Sequence, residues 1–147
     1  MVVTVAAVLV LKPFMPGNEK LVLRDGDNRK VYAQYDAPEG TRFSVAFIHS
    51  VNKTEVKETY EIKDGGIYLQ ECLYSGFGAG VATEVEEGQT LTYTEDGKML
   101  ISGYNIPIPN LSYIVGTVSD HVLEINGVEI SLRELCGRNS VVRFEYK

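Results

Sequence analysis

Apolar and polar side chains alternate along most of the chain after residue 17, in short runs that turn-forming residues interrupt. A period of two is typical of strands with one buried face. Asn126-Gly127 and Glu95-Asp96-Gly97 lie between such runs, and both favour hairpin turns. The pattern predicts about ten short strands, drawn from the runs Leu21–Leu23, Lys30–Tyr35, Arg42–His49, Glu55–Lys63, Ile67–Tyr74, Thr90–Thr94, Lys98–Ser102, Ser112–Thr117, His121–Ile125, Val128–Ile130 and Val141–Tyr146.

Helical periodicity is confined to one stretch. Ser131–Cys136 has the composition of one or two helical turns, with Ser131 as the N-cap and Gly137 just beyond the C-terminus. Many short strands with so little helix predict an all-β fold, either a single β-sandwich or a partly open barrel. Within it, Ile106–Pro109 must lie at a sheet edge or cross between sheets, because proline cannot donate to a central ladder.

The length and the net charge of the chain limit the domain organisation and the partners that we expect. With 147 residues, of which 44% are apolar, it is long enough for one independent core. We predict a β domain over residues 18–147, preceded by an export or anchor remnant and linker over residues 1–17. The formal net charge of −6 and the lack of a Lys/Arg cluster in the sequence disfavour nucleic acids and anionic membranes as partners.

Val2–Leu11 is an unbroken apolar run near the N-terminus. A membrane-spanning helix needs about 20 apolar residues, whereas about 7–15 is the usual length of the apolar region of a signal peptide. We therefore expect an export signal or membrane anchor and a domain outside the cytoplasmic membrane, in the periplasm if the cell has one. The alternative is a first β-strand, since the run is rich in Val.

Cys72 and Cys136 are the only cysteines. No C-x-x-C pair or Cys/His cluster is present in the sequence, so no zinc site and no cofactor are predicted. In an exported domain the two thiols could pair, which would stabilise the fold by about 4 kcal/mol in the chain-entropy model. Two buried, unpaired thiols are the equally weighted alternative.

Titratable side chains break the apolar alternation at three positions. His49 ends the face of Phe43, Val45 and Phe47, Glu58 lies within the next apolar face, and His121 begins another. A four-residue loop (50–53) pairs Val45 with Glu58, while a six-residue loop (50–55) places His49 diagonal to Glu58. The sequence is compatible with both loops.

A cluster of His49, Glu58 and His121 would suit proton handling or ligand anchoring, because burial and neighbouring charges set each pKa. Metal binding by two histidines and one carboxylate is a minor variant of this hypothesis. The competing interpretation is structural: a histidine at a strand end commonly satisfies backbone groups of a loop.

Ser75 precedes a glycine-rich segment, Gly76–Gly80. Phosphate-cradling loops need a following helix, and the three carboxylates of Thr83–Gly88 would repel a phosphate. The segment therefore indicates a tight irregular loop where backbone approaches another group closely. Ser50 and Ser75 lack the G-x-S-x-G context of a serine hydrolase.

Several motifs together resemble an uncharacterised prokaryotic domain-of-unknown-function family, often encoded beside TAXI-type TRAP transporter genes. The motifs are Phe47–Thr54, Val56, Glu58, Tyr60–Ile62, Phe77–Gly80 and His121–Gly127 with Ile130, Leu132 and Leu135. The resemblance spans about Phe43 to Phe144 and marks as signature positions His49, Ser50, Glu58, Gly78, Gly80 and His121. Members usually begin with a hydrophobic export or anchor segment, so the resemblance implies an extracytoplasmic accessory domain near a solute uptake system.

We therefore predict a non-catalytic accessory or binding module of a TRAP/TAXI-type transport system, which binds a small anionic solute or a transporter subunit. The predicted binding residues are His49, Ser50, Glu58, Ser75, Gly78, Gly80 and His121. The alternative is a small hydrolase or isomerase with His49 as general base and Glu58 orienting it, which requires the two within hydrogen-bond reach.

Overall fold

The computed structural model describes residues 17–76 and 84–147. Val2–Leu11 and the signature glycines Gly78 and Gly80 lie outside the described residues. The expectations about an export segment and about the glycine loop beyond Gly76 therefore stay predictions.

The described residues form eleven β-strands and one short helix. The strands are β1 (Lys20–Asp25), β2 (Val31–Asp36), β3 (Arg42–Ile48), β4 (Glu55–Lys63), β5 (Gly66–Tyr74), β6 (Thr90–Tyr93), β7 (Met99–Pro107), β8 (Ser112–Ile114), β9 (His121–Ile125), β10 (Val128–Ser131) and β11 (Val141–Tyr146), and the helix is α1 (Leu132–Cys136).

Two antiparallel sheets pack face to face, which confirms the predicted all-β sandwich. The small sheet has four strands in the order β2-β1-β11-β8, and the large sheet has seven in the order β10-β9-β3-β4-β5-β7-β6. Consecutive strands mostly pair as hairpins, whereas β3 and β9 pair although they are distant in the chain. This long-range pairing brings the two histidine-bearing segments to the same end of the large sheet.

The core lies between the inner faces of the two sheets. Alternate residues of each strand point into it, as the period of two requires. Phe43 stacks on Tyr60 within the large sheet and on Phe144 of the small sheet, with ring centroids 5.3 and 5.9 Å apart. Fully buried residues of both sheets surround these rings, including Leu21, Leu23, Val45, Ile62, Leu123 and Val142.

Local turn chemistry explains several chain reversals. Asn126 and Gly127 both have positive φ, at 53° and 74°, as the predicted type I′ hairpin requires. The Ser131 side chain caps α1 by accepting a hydrogen bond from the Glu134 amide (3.0 Å), and Gly137 ends the helix at φ 91°. Both capping predictions are confirmed.

The proline-containing segment at the end of β7 lies at a sheet edge, as its chemistry requires. β7 extends beyond the predicted end at Ser102 to Pro107, and β6 covers only residues 99–102 of it. Ile106 and Pro107 pair with β5 on one side, and on the other side no described strand lies beside them. A proline is tolerated there because no described strand on that side needs its missing N–H, and the chain then crosses to the small sheet.

Candidate functional site

The turn between β3 and β4 places His49 at one end of the large sheet. Phe47 pairs with Val56 and Val45 with Glu58, so the loop comprises the four residues 50–53. The His49 amide donates to the Thr54 carbonyl (2.8 Å), and the Lys53 amide donates to the His49 carbonyl (2.9 Å). Of the two registers left open by the sequence, the structure selects the four-residue loop.

A second turn, between β8 and β9, places His121 beside it. His121 pairs with Phe47 across β3 and β9, and their rings stack with centroids 5.3 Å apart. The Gly116 amide donates to His121 Nδ1 (3.2 Å). A Cβ on Gly116 would lie 2.1 Å from the Ser119 carbonyl oxygen, so only glycine fits this turn.

Helix α1 holds the segment that leads into His121. Asp120 accepts hydrogen bonds from the Ser131 hydroxyl and from the Arg133 amide, the latter at 3.0 Å. The Arg133 guanidinium also donates to the Val118 carbonyl (3.0 Å). The Val118–Asp120 segment is therefore tied to the helix on two sides, which fixes its position relative to His49.

Both imidazoles accept backbone N–H groups at the same ring nitrogen. His49 Nδ1 accepts from the amides of Val51 (3.3 Å) and Asn52 (3.4 Å), as His121 Nδ1 does from Gly116. A nitrogen that accepts an N–H carries no proton, so in each neutral ring the proton resides on Nε2. Burial lowers the pKa of His121, which further favours its neutral form. Each ring therefore keeps one Nε2–H as a donor.

The two histidines line one cavity of about 500 Å³, which we name the histidine cavity. Its walls come from the β3–β4 turn, the β8–β9 turn and the strand ends next to them. The lining residues are Phe47, Ile48, His49, Ser50, Lys53, Ile114, Gly116, Thr117, Val118, Ser119 and His121. The predicted site residues His49, Ser50 and His121 thus lie together.

The lining of the histidine cavity differs in charge from the whole chain. Although the chain carries a formal charge of −6, the described lining residues include one cation, Lys53, and no carboxylate. The two imidazoles and the hydroxyls of Ser50, Thr117 and Ser119 add hydrogen-bond donors. Such a lining suits a single negative charge better than a cation.

Glu58 lies deeper in the sandwich and does not line the cavity. It accepts hydrogen bonds from the hydroxyls of Tyr60 (2.9 Å) and Tyr113, and these two hydroxyls lie 2.6 Å apart. Burial and then the neighbouring charge of Glu58 raise the pKa of Tyr60, so its hydroxyl stays protonated. Among the described hydrogen bonds, none joins Glu58 to a histidine.

Tyr113 separates Glu58 from the cavity. It belongs to the small sheet, and its ring centroid lies 5.9 Å from that of Phe47 and 5.7 Å from that of His121. Its hydroxyl reaches Glu58 on the large sheet. Tyr113 therefore contacts the cavity wall with its ring and binds the acid with its hydroxyl, so the predicted direct His–Glu pairing is replaced by a tyrosine-bridged arrangement.

Ser75 and Gly76 lie close to the β3–β4 turn without lining the cavity. The Ser75 amide donates to the Glu55 carbonyl (2.9 Å), which extends the pairing of β5 with β4. A Cβ on Gly76 would lie 2.7 Å from Thr54 Cγ2, so the backbone approaches its neighbour closely here. The described start of the glycine segment thus lies beside the residue that binds His49.

Lys53, Tyr113 and Gly116 were missed as site residues. Tyr113 and Gly116 belong to a predicted strand, Ser112–Thr117, that in the structure ends at Ile114. The signal for Gly116 was a glycine five residues before a histidine, which alone is too common to indicate a site. Lys53 has φ 57°, a backbone conformation that the sequence does not reveal for a lysine.

The described residues contain neither a metal-binding cluster nor a membrane-spanning helix. No group of three or more His, Cys, Asp or Glu side chains is placed to hold a metal ion. No described helix combines the length and apolar character needed to cross a bilayer.

Comparison with known proteins returned one family. Residues 43–132, more than half of the chain, match the model of DUF1850, a domain of unknown function. No curated protein and no solved structure matches the chain. The matched segment runs from β3 to the start of α1 and contains every residue that lines the histidine cavity.

Proposed function

The chain belongs to the DUF1850 family, and from this premise we propose that it is a non-catalytic binding module whose histidine cavity takes a small organic monocarboxylate. The proposal rests on the residues that line the cavity, which include several hydrogen-bond donors and one cation but no carboxylate. A carboxylate would accept hydrogen bonds from the Nε2–H groups of His49 and His121 and pair with Lys53. The volume of about 500 Å³ lies in the range of small-molecule pockets.

The apolar part of the lining suits the remainder of such a solute. Ile48, Ile114 and Val118 line the mouth and are exposed by 40%, 63% and 92%. A short aliphatic tail would cover part of this apolar surface and remove it from water. An inorganic anion has no apolar tail and would leave this surface exposed to water.

We further propose that the module works outside the cytoplasmic membrane beside a TAXI-type TRAP transporter. This part rests on the resemblance of the sequence motifs and on the apolar Val2–Leu11 run, and it is tested by the genes that flank the coding sequence. If those genes encode no transporter and deletion of this gene leaves carboxylate uptake unchanged, this part of the proposal is wrong.

A transporter subunit is the second candidate occupant of the same end of the molecule. The exposed side chains of Ile48, Ile114 and Val118 favour it, because isolated exposed apolar residues are common but a cluster around one mouth marks a contact surface. Val118→Asn removes apolar surface without adding a charge, so it should abolish binding of the subunit and weaken carboxylate binding less than the loss of the Lys53 cation does.

The hydrolase or isomerase alternative is less favoured by the described contacts. A general base at His49 needs a partner that orients it, and Glu58 makes its described side-chain hydrogen bonds with Tyr60 and Tyr113. His49 is instead held by two backbone amides, which suits a fixed donor.

Butyrate is the probe for the binding proposal, and butylammonium, with the same tail and the opposite charge, is the control ligand. We expect butyrate alone to shift the amide NMR signals of residues 48–53 and 116–121. Lys53→Gln should weaken butyrate binding at least about tenfold, because a charged partner is lost. Arg138→Gln removes the same charge from an exposed site outside the cavity and should change binding less than about twofold.

Equal shifts with butylammonium, or equal effects of the two substitutions, would overturn the proposal. The use of a matched pair of substitutions separates a specific contact of Lys53 from a general effect of net charge.

A further inference from the structure

The outer face of the small sheet is cationic, in contrast to the rest of this acidic chain. Leu21, Leu23, Val142 and Phe144 point into the core, so the residues between them on β1 and β11 point outward. With neighbouring β2 and the turn over residues 26–30, this face carries six cationic and three anionic side chains, whereas the chain has 14 and 20. They are Lys20, Arg24, Arg29, Lys30, Arg143 and Lys147, and Asp27, Asp36 and Glu145.

One carboxylate on this face is shared by three cations. Glu145 binds Arg24 Nε (3.0 Å), Arg29 Nη2 (2.7 Å) and Lys147 Nζ (3.2 Å). Its two oxygens are thereby occupied, and the group keeps an excess of positive charge.

Arg143 adds a fourth cation with no partner of its own. It is exposed, and among the described residues it forms no ion pair or side-chain hydrogen bond. In the register of β1 and β11 it lies directly opposite Arg24. Like charges at directly opposed positions of a sheet are destabilising, so this pair is a local cost that an anionic ligand would remove.

A cleft of about 520 Å³ begins at these cations, and we name it the arginine cleft. Arg29, Arg143, Glu145 and Lys147 line one side of it. The opposite side is formed by the β4–β5 turn and the connection from β7 to β8, which contribute Gly65, Gly66, Ile67, Ile108, Pro109, Asn110 and Leu111. The cleft therefore has a cationic side and a mainly apolar side.

The arginine cleft and the histidine cavity share no lining residue. β4 begins at Glu55, just after the turn that carries His49, and ends at Lys63, just before Gly65 and Gly66. A strand of nine residues spans about 27 Å at the usual rise per residue, so the turns at its two ends are well separated. On the small sheet the two sites come closer, because Arg143 pairs with Ser112 and Val141 pairs with Ile114 of the cavity. The phosphate proposal uses no residue of the histidine cavity and does not depend on the proposed function.

We propose that the arginine cleft binds a phosphate monoester, with Arg143 as the principal contact. Three cations and one carboxylate line the cleft, which leaves two positive charges for a dianion. The planar guanidinium of Arg143 matches two phosphate oxygens at once, and Arg29 and Lys147 add charge. Ile67, Ile108 and Leu111 would contact the organic part of the ester.

The phosphoryl group could belong to a soluble metabolite or to the headgroup of an anionic phospholipid. Both present the same dianion to the arginines, so the chemistry of recognition is shared. The two sources differ in whether binding needs a membrane surface, which the experiment can separate.

The first arm of the test is calorimetric titration with glycerol 3-phosphate at low salt, above the second pKa of phosphate. We expect binding that weakens as sodium chloride is added, since screening acts on exposed charges. Arg143→Gln should raise the Kd at least about tenfold, because one charge-assisted contact is lost. Arg138→Gln, at an exposed position between α1 and β11 that does not line the cleft, should change it less than about twofold.

The second arm uses vesicles of phosphatidylcholine with and without phosphatidic acid. Sedimentation with the phosphatidic acid vesicles that is lost in Arg143→Gln would assign the phosphoryl group to a lipid. Binding of glycerol 3-phosphate without vesicle binding would assign it to a soluble ligand. If neither probe binds, or if Arg143→Gln and Arg138→Gln have the same effect, the proposal is wrong.

Measurement of the Tm distinguishes a loss of phosphate binding in Arg143→Gln from misfolding of the variant. Because Arg143 faces Arg24, Arg143→Gln should leave the Tm of the ligand-free protein unchanged or raise it. Loss of phosphate binding with an intact or higher Tm would identify a residue retained for binding. A clear fall in Tm would show that Arg143 supports the fold, which would contradict the proposed role.

Discussion

At the scale of single residues, Tyr113 links the two sheets at the candidate site. Its hydroxyl binds Glu58 across the sandwich, and its ring contacts Phe47 and His121. A carboxylate that is partly removed from water loses hydration, so the two tyrosine hydroxyls stabilise the half-buried Glu58 where it lies.

Tyr113→Phe tests this role. The substitution keeps the ring contacts and removes one hydrogen bond to Glu58, so the free energy of unfolding should fall by about 1–3 kcal/mol. Tyr68→Phe, whose ring lies near Lys63 at the other end of the large sheet, should change it by less than about 0.5 kcal/mol. Urea unfolding measures both values, and equal effects would contradict a special role for Tyr113.

The lowered pKa of His121 predicts how the free energy of unfolding depends on pH. Burial lowers its pKa below the ordinary value of 6.5, so at and just below that pH the unfolded chain binds more protons than the folded chain. The free energy of unfolding should therefore be largest above about pH 7 and fall as the pH is lowered through 6.5.

Urea titrations between pH 7.5 and 5.5 measure this slope, and His121→Gln should reduce it. Asp120, Glu124 and Glu145 have lowered pKa values and titrate below this window. A slope that is the same in the variant would show that another group is responsible.

At the scale of elements, the β8–β9 turn determines whether His121 faces the cavity. The turn depends on Gly116, whose amide binds the imidazole and whose missing side chain leaves room for the Ser119 carbonyl. Helix α1, although only five residues long, holds the same turn through Asp120 and Arg133.

Gly116→Ala should therefore disturb both stability and binding. A Cβ placed 2.1 Å from a backbone oxygen forces the turn to move, at a cost of about 3 kcal/mol. Gly66→Ala is the matched control, because its nearest atom beyond its chain neighbours would be a Tyr68 ring carbon at 3.7 Å, an ordinary contact.

Thermal unfolding and butyrate titration of the two variants make the comparison. We expect Gly116→Ala to lose the butyrate-induced shifts and Gly66→Ala to keep them. Retention of both binding and Tm in Gly116→Ala would mean that the turn has a conformation with space for a side chain.

At the scale of the whole molecule, the two cysteines lie in different elements of the sandwich. Cys72 lies in β5 on the large sheet and Cys136 in α1, and both are free thiols. Of the alternative of two buried, unpaired thiols, the lack of pairing and the burial of Cys72 agree with the structure, whereas Cys136 is only half-buried. No cross-link joins the described parts of the chain. Burial raises the pKa of each thiol to about 11, which keeps both protonated and slow to react.

Reducing agents should accordingly leave the Tm unchanged. In the native protein both thiols should react slowly with a disulfide reagent, and in guanidinium two thiols per chain should react at once. A lower Tm after reduction, or fewer than two thiols in the unfolded chain, would reveal a bridge.

Charged side chains are unevenly distributed over the described surface. The histidine cavity and the arginine cleft lie at opposite ends of β4, and both are locally neutral or positive within an acidic chain. The acidic remainder of the chain repels anions from most of the surface. Two separate sites could then bind anions of different charge.

Much of the fold was predictable because its signals are local. The strand β9 and the strand β11 have the predicted bounds, and Asn126-Gly127 forms the expected turn. Ser131 and Gly137 cap α1 as their side-chain chemistry requires. Alternation, turn preference and capping depend on a few neighbouring residues, so a single chain displays them without any knowledge of its partners.

The sites depend on contacts between distant segments. His49 and His121 come together only because β3 pairs with β9, Tyr113 reaches Glu58 only because the small sheet packs on the large one, and Arg143 faces Arg24 only because β11 lies beside β1. Sheet order and inter-sheet packing minimise the energy of the whole molecule, and no short stretch of residues encodes them. The residue types were therefore visible in the chain, whereas their assembly into a cavity, a bridged acid and a cationic cleft emerged from the packing of the two sheets.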